Sequence, residues 1–243
     1  MALSLTAEQK SILTIFSGNN QYIIPPYQRQ YSWQEEQCSE LFEDLKRAFL
    51  EYSKDGYFLG NIIIAKNSDD KNKLEVIDGQ QRLITLTLFI KVLLTQDNEN
   101  DDLKKAVWLT DSRTKEIIEQ RLVTNVFEDK DAKYLKDALD IDFQTYNYGK
   151  IDKNENNFIK NICYFYNEIK EFSENNSIQE FVDFFLYEVT LLPIETEDSD
   201  QNKAREKALK IFETINDRGM SLSDSDIFKA KLYSMALNEL NQD

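Results

Sequence analysis

Residues 83–94 constrain the fold most: read as a helix, they are apolar on nearly every side. Such a helix has no face to offer water, so it is expected to be enclosed by the rest of the chain. Leu74-Glu75-Val76-Ile77 before it reads as a short strand, and Asp78-Gly79-Gln80-Gln81-Arg82 stands between the two. Four polar side chains and a glycine wedged between apolar segments must be solvated or satisfied by partners. Residues 57–65 read as another buried strand and 67–72 as a turn. Residues 57–77 are therefore expected to form a hairpin that feeds the buried helix.

Upstream, residues 22–33 read Tyr-Ile-Ile-Pro-Pro-Tyr-Gln-Arg-Gln-Tyr-Ser-Trp and hold two of the chain's three prolines. Adjacent prolines favour extended backbone. Ser32 and Glu35 form a capping-box pattern. The helix it would open buries Cys38, Leu41, Phe42, Leu45, Ala48, Phe49 and Tyr52, and Lys54-Asp55-Gly56 signals its end. An acidic break at 97–102 is a candidate boundary. Residues 103–187 are expected to be mostly helical, with 140–157 irregular. Phe158, Ile162, Phe165, Ile169 and Phe172 mark an amphipathic helix, and Phe181, Val182, Phe184, Phe185 and Leu186 a short buried one. Residues 187–194 read as a strand whose Pro193 points to a sheet edge. An acidic loop over 195–203 and a helix over 204–216, with Ala208, Ile211, Phe212 and Ile215 inward, follow. Asp217-Arg218-Gly219-Met220 reads as a turn before a last helix capped by Ser223, with Asp226 at the box position.

Composition excludes several chemistries. The chain has no histidine, which removes Ser-His-Asp and Cys-His triads and histidine-metal sites. Its two cysteines are too few for a four-thiolate zinc site. Both fall on apolar helical phases, so they are expected to be buried free thiols, as in a reducing cytosol. With 29 basic and 44 acidic residues, the net charge of −15 opposes non-specific binding of a nucleic-acid backbone. The apolar runs are too short to span a bilayer, and the N-terminal residues lack a secretory pattern. A cytoplasmic protein is expected.

Three constellations could carry function. A glycine at the strand-to-helix turn of Asp78–Arg82 lets the backbone approach a ligand closely. The first helical amides lack internal partners, and the helix dipole favours an anion there. Arg82 adds a bidentate donor, and Asp78 could hold magnesium or water. The same pattern also fits plain capping, with Asp78 as cap and Gln81 completing the box. The second constellation is Pro25, Tyr27, Gln28, Arg29, Tyr31 and Trp33, which could stack a base and grip phosphate. Aromatics in such a run mostly serve the core instead. The third is the junction at 216–229, with Asn216, Arg218, Gly219, Asp226 and Lys229; on pattern alone it is an ordinary capped turn.

Together these segments resemble the N-terminal domain of GmrSD-type modification-dependent restriction endonucleases. The resemblance rests on Ile24-Pro25-Pro26-Tyr27-Gln28-Arg29 with Tyr31 and Trp33, Phe58-Leu59-Gly60-Asn61-Ile62, Asp78-Gly79-Gln80-Gln81-Arg82-Leu83, and Phe212-Glu213-Thr214-Ile215-Asn216 with Gly219, Leu222, Asp226, Ile227 and Lys229. It spans residues 5 to 235. It implies an α+β fold of ParB/sulfiredoxin-like type: a small mixed sheet with extensive helical additions. The implied division is a nucleotide-binding core at 1–96, a helical insertion at 97–186, and a strand and helices at 187–243 that complete the core. The implied activity is magnesium-dependent hydrolysis of GTP or another nucleoside triphosphate in anti-phage defence. Asp78, Gln80, Gln81 and Arg82 would be catalytic. Pro25, Tyr27, Gln28, Arg29, Trp33, Gly79, Asn216, Arg218, Gly219 and Lys229 would bind nucleotide, and Asp78 and Asp226 magnesium. The partners would be a nuclease domain or subunit, modified phage DNA through the full assembly, and further copies of the chain. The alternatives are a sensor of nucleotide or modified DNA without turnover, and a direct DNA nuclease, which the acidic charge opposes.

Overall fold

Residues 62–65 read Ile-Ile-Ile-Ala, and all four are buried. A strand reads that way when both its faces are covered. The computed structural model describes residues 6–52, 55–126, 130–147, 152 and 154–216. In chain order these form β1 (Thr6–Ala7), β2 (Lys10–Ser11), α1 (Ile12–Ile15), β3 (Gln21–Ile24), α2 (Glu35–Tyr52), β4 (Tyr57–Asn67), β5 (Lys73–Asp78) and α3 (Gln80–Gln96). There follow α4 (Asp101–Val107), β6 (Trp108–Thr110), β7 (Ile117–Gln120), β8 (Leu122–Thr124), α5 (Asp131–Leu139), α6 (Asn157–Ser173) and α7 (Ile178–Asp183). A π-helical turn (Phe184–Glu188) then leads into β9 (Val189–Asp198) and α8 (Gln201–Asn216).

The fold is α+β with a mixed sheet in the order β1-β9-β4-β5-β3-β8, β2 also pairing with β9. β4 and β5 form the expected antiparallel hairpin, and β3, β8 and β9 add to it in parallel registers. Alternate residues enter two cores. Ile62, Ile64, Leu74 and Val76 join the larger core, with α2, α3 and α6. Ile63, Ala65 and Ile77 join a smaller one, with Ala204, Ala208 and Phe212 of α8. α3 is buried around its circumference, as its composition requires. Edge-to-face phenylalanines close the larger core, among them Phe89–Phe165 and Phe89–Phe185, both at 5.1 Å between centroids. Cys38 and Cys163 are free and buried, and burial pushes both thiols up to about 12.

Several local readings need correction. Residues 103–187 are not helical throughout; they supply β6, β7 and β8, and β8 joins the main sheet. Pro193 lies inside the sheet rather than at its edge. β1 pairs at Ile194 and Glu195 and β2 at Thr190 and Leu191, so the proline's missing N–H falls in the gap between them. β9 runs on to Asp198 and α8 starts at Gln201, so strand and helix together replace most of the expected acidic loop. Ile215 is 40% exposed; Arg205 and Leu209 are buried in its stead. Pro25 and Pro26 do not prolong β3, because Gln28 N–H donates to Pro25 O at 3.2 Å and closes a turn.

Candidate functional site: a cleft at the first turn of the buried helix

The β5–α3 turn is held open by Gly79. Its φ of +88° is costly for any side chain, and a Cβ there would stand 2.6 Å from Ile62 Cγ2. Gly79 occupies the N-cap position, and no side chain caps α3. Asp78 therefore does not serve as the capping residue, and the first-turn amides keep their donors.

Gln81 does not complete a capping box. It is 5% exposed, and its Oε1 accepts from Ser32 N at 2.8 Å, Trp33 N at 3.2 Å and Ser32 Oγ at 3.3 Å. Its Nε2 donates to Gln30 O at 3.0 Å. This engagement explains a second displacement. Ser32 is held by Gln81, so the α2 box shifts two residues on, where Gln37 Oε1 accepts from Gln34 N at 2.9 Å. Gln80 Nε2 donates to Arg29 O at 3.1 Å, and Gln28 Nε2 to Ile77 O at 2.8 Å. The segment 28–33 is thus laced across the end of β5 and the start of α3. Beneath it, Tyr31 OH shares a 2.7 Å hydrogen bond with Thr85 and accepts from Asn161 Nδ2 at 2.8 Å.

Gln28, Arg29, Trp33, Ile77, Asp78, Gly79, Gln80, Gln81 and Arg82 line one cleft of ≈ 170 Å³, room for on the order of ten waters. Burial raises the Asp78 carboxyl above its ordinary value, partly offset by the Gly79 N–H, Arg82 and Arg29. Burial lowers Arg82, and the Asp78 charge works against that shift. Arg82 Nη1 donates to Asn61 O at 2.8 Å, and no carboxylate lies within ion-pair distance of Arg82 among the described residues. Gln80 is 6% exposed, and its Oε1 has no hydrogen-bond partner. The arrangement offers an anion free amides and two guanidiniums, with Trp33 in the same lining. Among the described residues Asp78 is the one carboxylate lining it, and no group of three or more His, Cys, Asp or Glu could hold a metal ion. A single carboxylate suits magnesium when phosphates and water complete the shell.

The cleft unites seven of the nucleotide-site candidates at 25–33 and 78–82: Gln28, Arg29, Trp33, Asp78, Gly79, Gln80 and Arg82, with Gln81 as the clasp behind them. Tyr27 is elsewhere. Its hydroxyl donates to Glu75 Oε1 at 2.7 Å, and its ring packs in the smaller core under Arg205, 5.6 Å away. Pro25 is buried behind its turn and does not line the cleft. Asn216 ends α8, and Arg218, Gly219, Asp226 and Lys229 lie outside the described residues.

A match to the family model described as GmrSD restriction endonuclease, N-terminal domain, covers residues 12–233. The chain belongs to this family. No curated protein matches it. Membership makes this GmrSD N-terminal domain part of a restriction system, and no helix among the described residues is long and apolar enough to cross a membrane.

Sequence reasoning missed the ion pair behind the GmrSD cleft. Arg205 of α8 meets Glu75 at 2.5 Å and 2.7 Å, and Gln201 Nε2 adds a third bond to Glu75 at 3.1 Å. The signal was present: an acidic residue inside the strand Leu-Glu-Val-Ile needs a buried partner.

Proposed function

We propose that the chain binds a nucleoside triphosphate in this cleft and hydrolyses it, and that this turnover regulates cleavage of modified phage DNA by a nuclease domain or subunit. The observation that carries the reading is Arg82: a guanidinium drawn out of water beside uncapped helix amides, with no carboxylate paired to it among the described residues. Phosphate oxygens would take the α3 amides and the guanidinium, and Arg29 would reach the outer phosphates. Trp33 offers a stacking face for a base. Phosphoryl transfer asks chiefly for such positioning and charge neutralisation. Water adds at the terminal phosphorus, the bridging P–O bond breaks, and nucleoside diphosphate and inorganic phosphate leave. Asp78 would hold magnesium, which when bound neutralises the phosphate oxygens. The reading leaves DNA cleavage to another domain or subunit, because the net charge of −15 opposes binding of a nucleic-acid backbone by this chain.

The test is phosphate release from GTP, ATP, CTP and UTP with magnesium, for the unaltered chain and for Arg82→Ala. Release that depends on Arg82 supports the reading; neither release nor binding with any of the four overturns it. A second reading is binding without turnover, favoured because Asp78 is the one carboxylate lining the cleft among the described residues, and magnesium would occupy it. It predicts a raised melting temperature with nucleotide and no phosphate release.

A further inference from the structure

The segment Phe58-Leu59-Gly60-Asn61-Ile62 has no part in the cleft's lining, yet it touches the group on which the reading depends. β4 loses register with β9 between Phe58 and Asn61. Gly60 sits in that irregularity with φ +118°, a conformation L side chains rarely adopt. A Cβ at Gly60 would stand 3.2 Å from Arg82 Nη2, 3.3 Å from Cζ and 3.4 Å from Nη1. Near-equal distances to the central carbon and both nitrogens mean that the guanidinium lies with its broad face over Gly60. The next residue supplies the edge contact, Nη1 donating to Asn61 O at 2.8 Å. Face and edge together fix a plane, which a charge on a flexible stem lacks. Irregularities of this kind recur beside active sites, where they re-aim a group.

We propose that the Gly60–Asn61 irregularity is the seat of the phosphate-binding guanidinium, which makes Gly60 a positioning residue. Glycine is required there because a methyl group would lift the guanidinium off the strand by a few tenths of an ångström. Only one of the five Arg82 donors is taken up by the strand, so the seat orients the fork and leaves it free for ligand. This inference rests on the reading of the cleft as a phosphate site.

Inorganic triphosphate is the probe, titrated calorimetrically into the unaltered chain, Gly60→Ala, Arg82→Ala and the double variant. Arg82→Ala is expected to weaken binding about tenfold or more, the usual consequence of losing a charge-assisted contact. Gly60→Ala alone is expected to weaken it several-fold, as small misplacements of a positioned group do. On the Arg82→Ala background the glycine substitution should change affinity by less than about twofold, the scatter of uncoupled sites. Equal losses in both backgrounds would mean that Gly60 serves only the sheet, and would overturn the proposal. If Gly60→Ala does not fold, Arg82→Lys decides. Lysine keeps the charge but cannot lie flat on Gly60, so it should bind about as weakly as Arg82→Ala; affinity within twofold of the unaltered chain overturns the seat. Absence of triphosphate binding by the unaltered chain is a different result, and it removes the phosphate site itself.

Discussion

Arg82 and Arg121 are both guanidiniums drawn out of water with no carboxylate paired to them among the described residues, yet they do opposite things. Arg121 is 2% exposed and spends four of its five donors on backbone carbonyls: Nε to Lys105 at 2.7 Å, Nη1 to Asn20 at 2.7 Å and Ser17 at 3.3 Å, and Nη2 to Gly18 at 3.1 Å. Burial lowers it to about 10. It is nearly saturated, and its work is to close the loop before β3 onto α4. Among the described residues Arg82 spends one donor, on Asn61 O, and it borders a cleft. The count of satisfied donors, more than burial, separates a guanidinium that holds the fold together from one available to a ligand.

The sharpest way to break that comparison is to remove each side chain in turn. Arg121→Ala empties a buried position and leaves partly buried carbonyls from four residues without their donor, and is expected to cost about 3–5 kcal/mol in urea unfolding. Arg82→Ala, by contrast, is expected to change stability by no more than about 1 kcal/mol while weakening triphosphate binding. If Arg82→Ala destabilised the chain as much as Arg121→Ala, the distinction between a saturated and a free guanidinium would fail.

Gln81 stands between these extremes, polar and adjacent to the cleft but fully engaged. Gln81→Leu keeps the volume and removes the acceptor of Ser32 N and Trp33 N and the donor to Gln30 O. A loss of about 2–3 kcal/mol is expected. Release of the 28–33 segment should also displace Arg29 and Trp33, so triphosphate affinity should fall with stability. Gln81→Leu that unfolds earlier yet binds triphosphate normally would show that the segment does not depend on its clasp.

How legible this was follows from the physics of each residue. The hairpin and the buried helix were readable because periodicity and apolar runs report burial directly. The cleft's lining was readable because its residues cluster at 28–33 and 78–82 and polar groups between apolar segments demand an explanation. What each polar group touches was not readable. Ser32–Glu35 and Asp78–Gln81 both fit a capping box, but Gln81 and Ser32 found each other across 49 positions of sequence. Long-range pairs of this kind, like Glu75 with Arg205, leave no local spacing to detect. The strands within 97–186 were missed because β6, β7 and β8 span three or four residues each, too few for a period-2 pattern to stand out.

The smallest effect tests the charge balance around Arg82 itself. Asp78 holds its proton more tightly in the folded chain than in an unfolded one, chiefly because it is buried. Its contribution to stability is therefore complete below the ordinary carboxylate value of 3.8 and is lost as pH rises through the higher folded value. At neutral pH the ionised carboxylate is a burden, which Arg82, Arg29 and the Gly79 N–H offset only in part. Asp78→Asn is thus expected to melt at a higher temperature than the unaltered chain at pH 7, with the difference shrinking as pH is lowered toward 4. If the cleft takes phosphate as proposed, the same substitution removes a negative charge from it, so it should tighten inorganic triphosphate binding without magnesium and abolish any further gain when magnesium is added. An asparagine variant that melts lower at pH 7 would mean the carboxylate is a structural partner of Arg82, which would return that guanidinium to the class of Arg121.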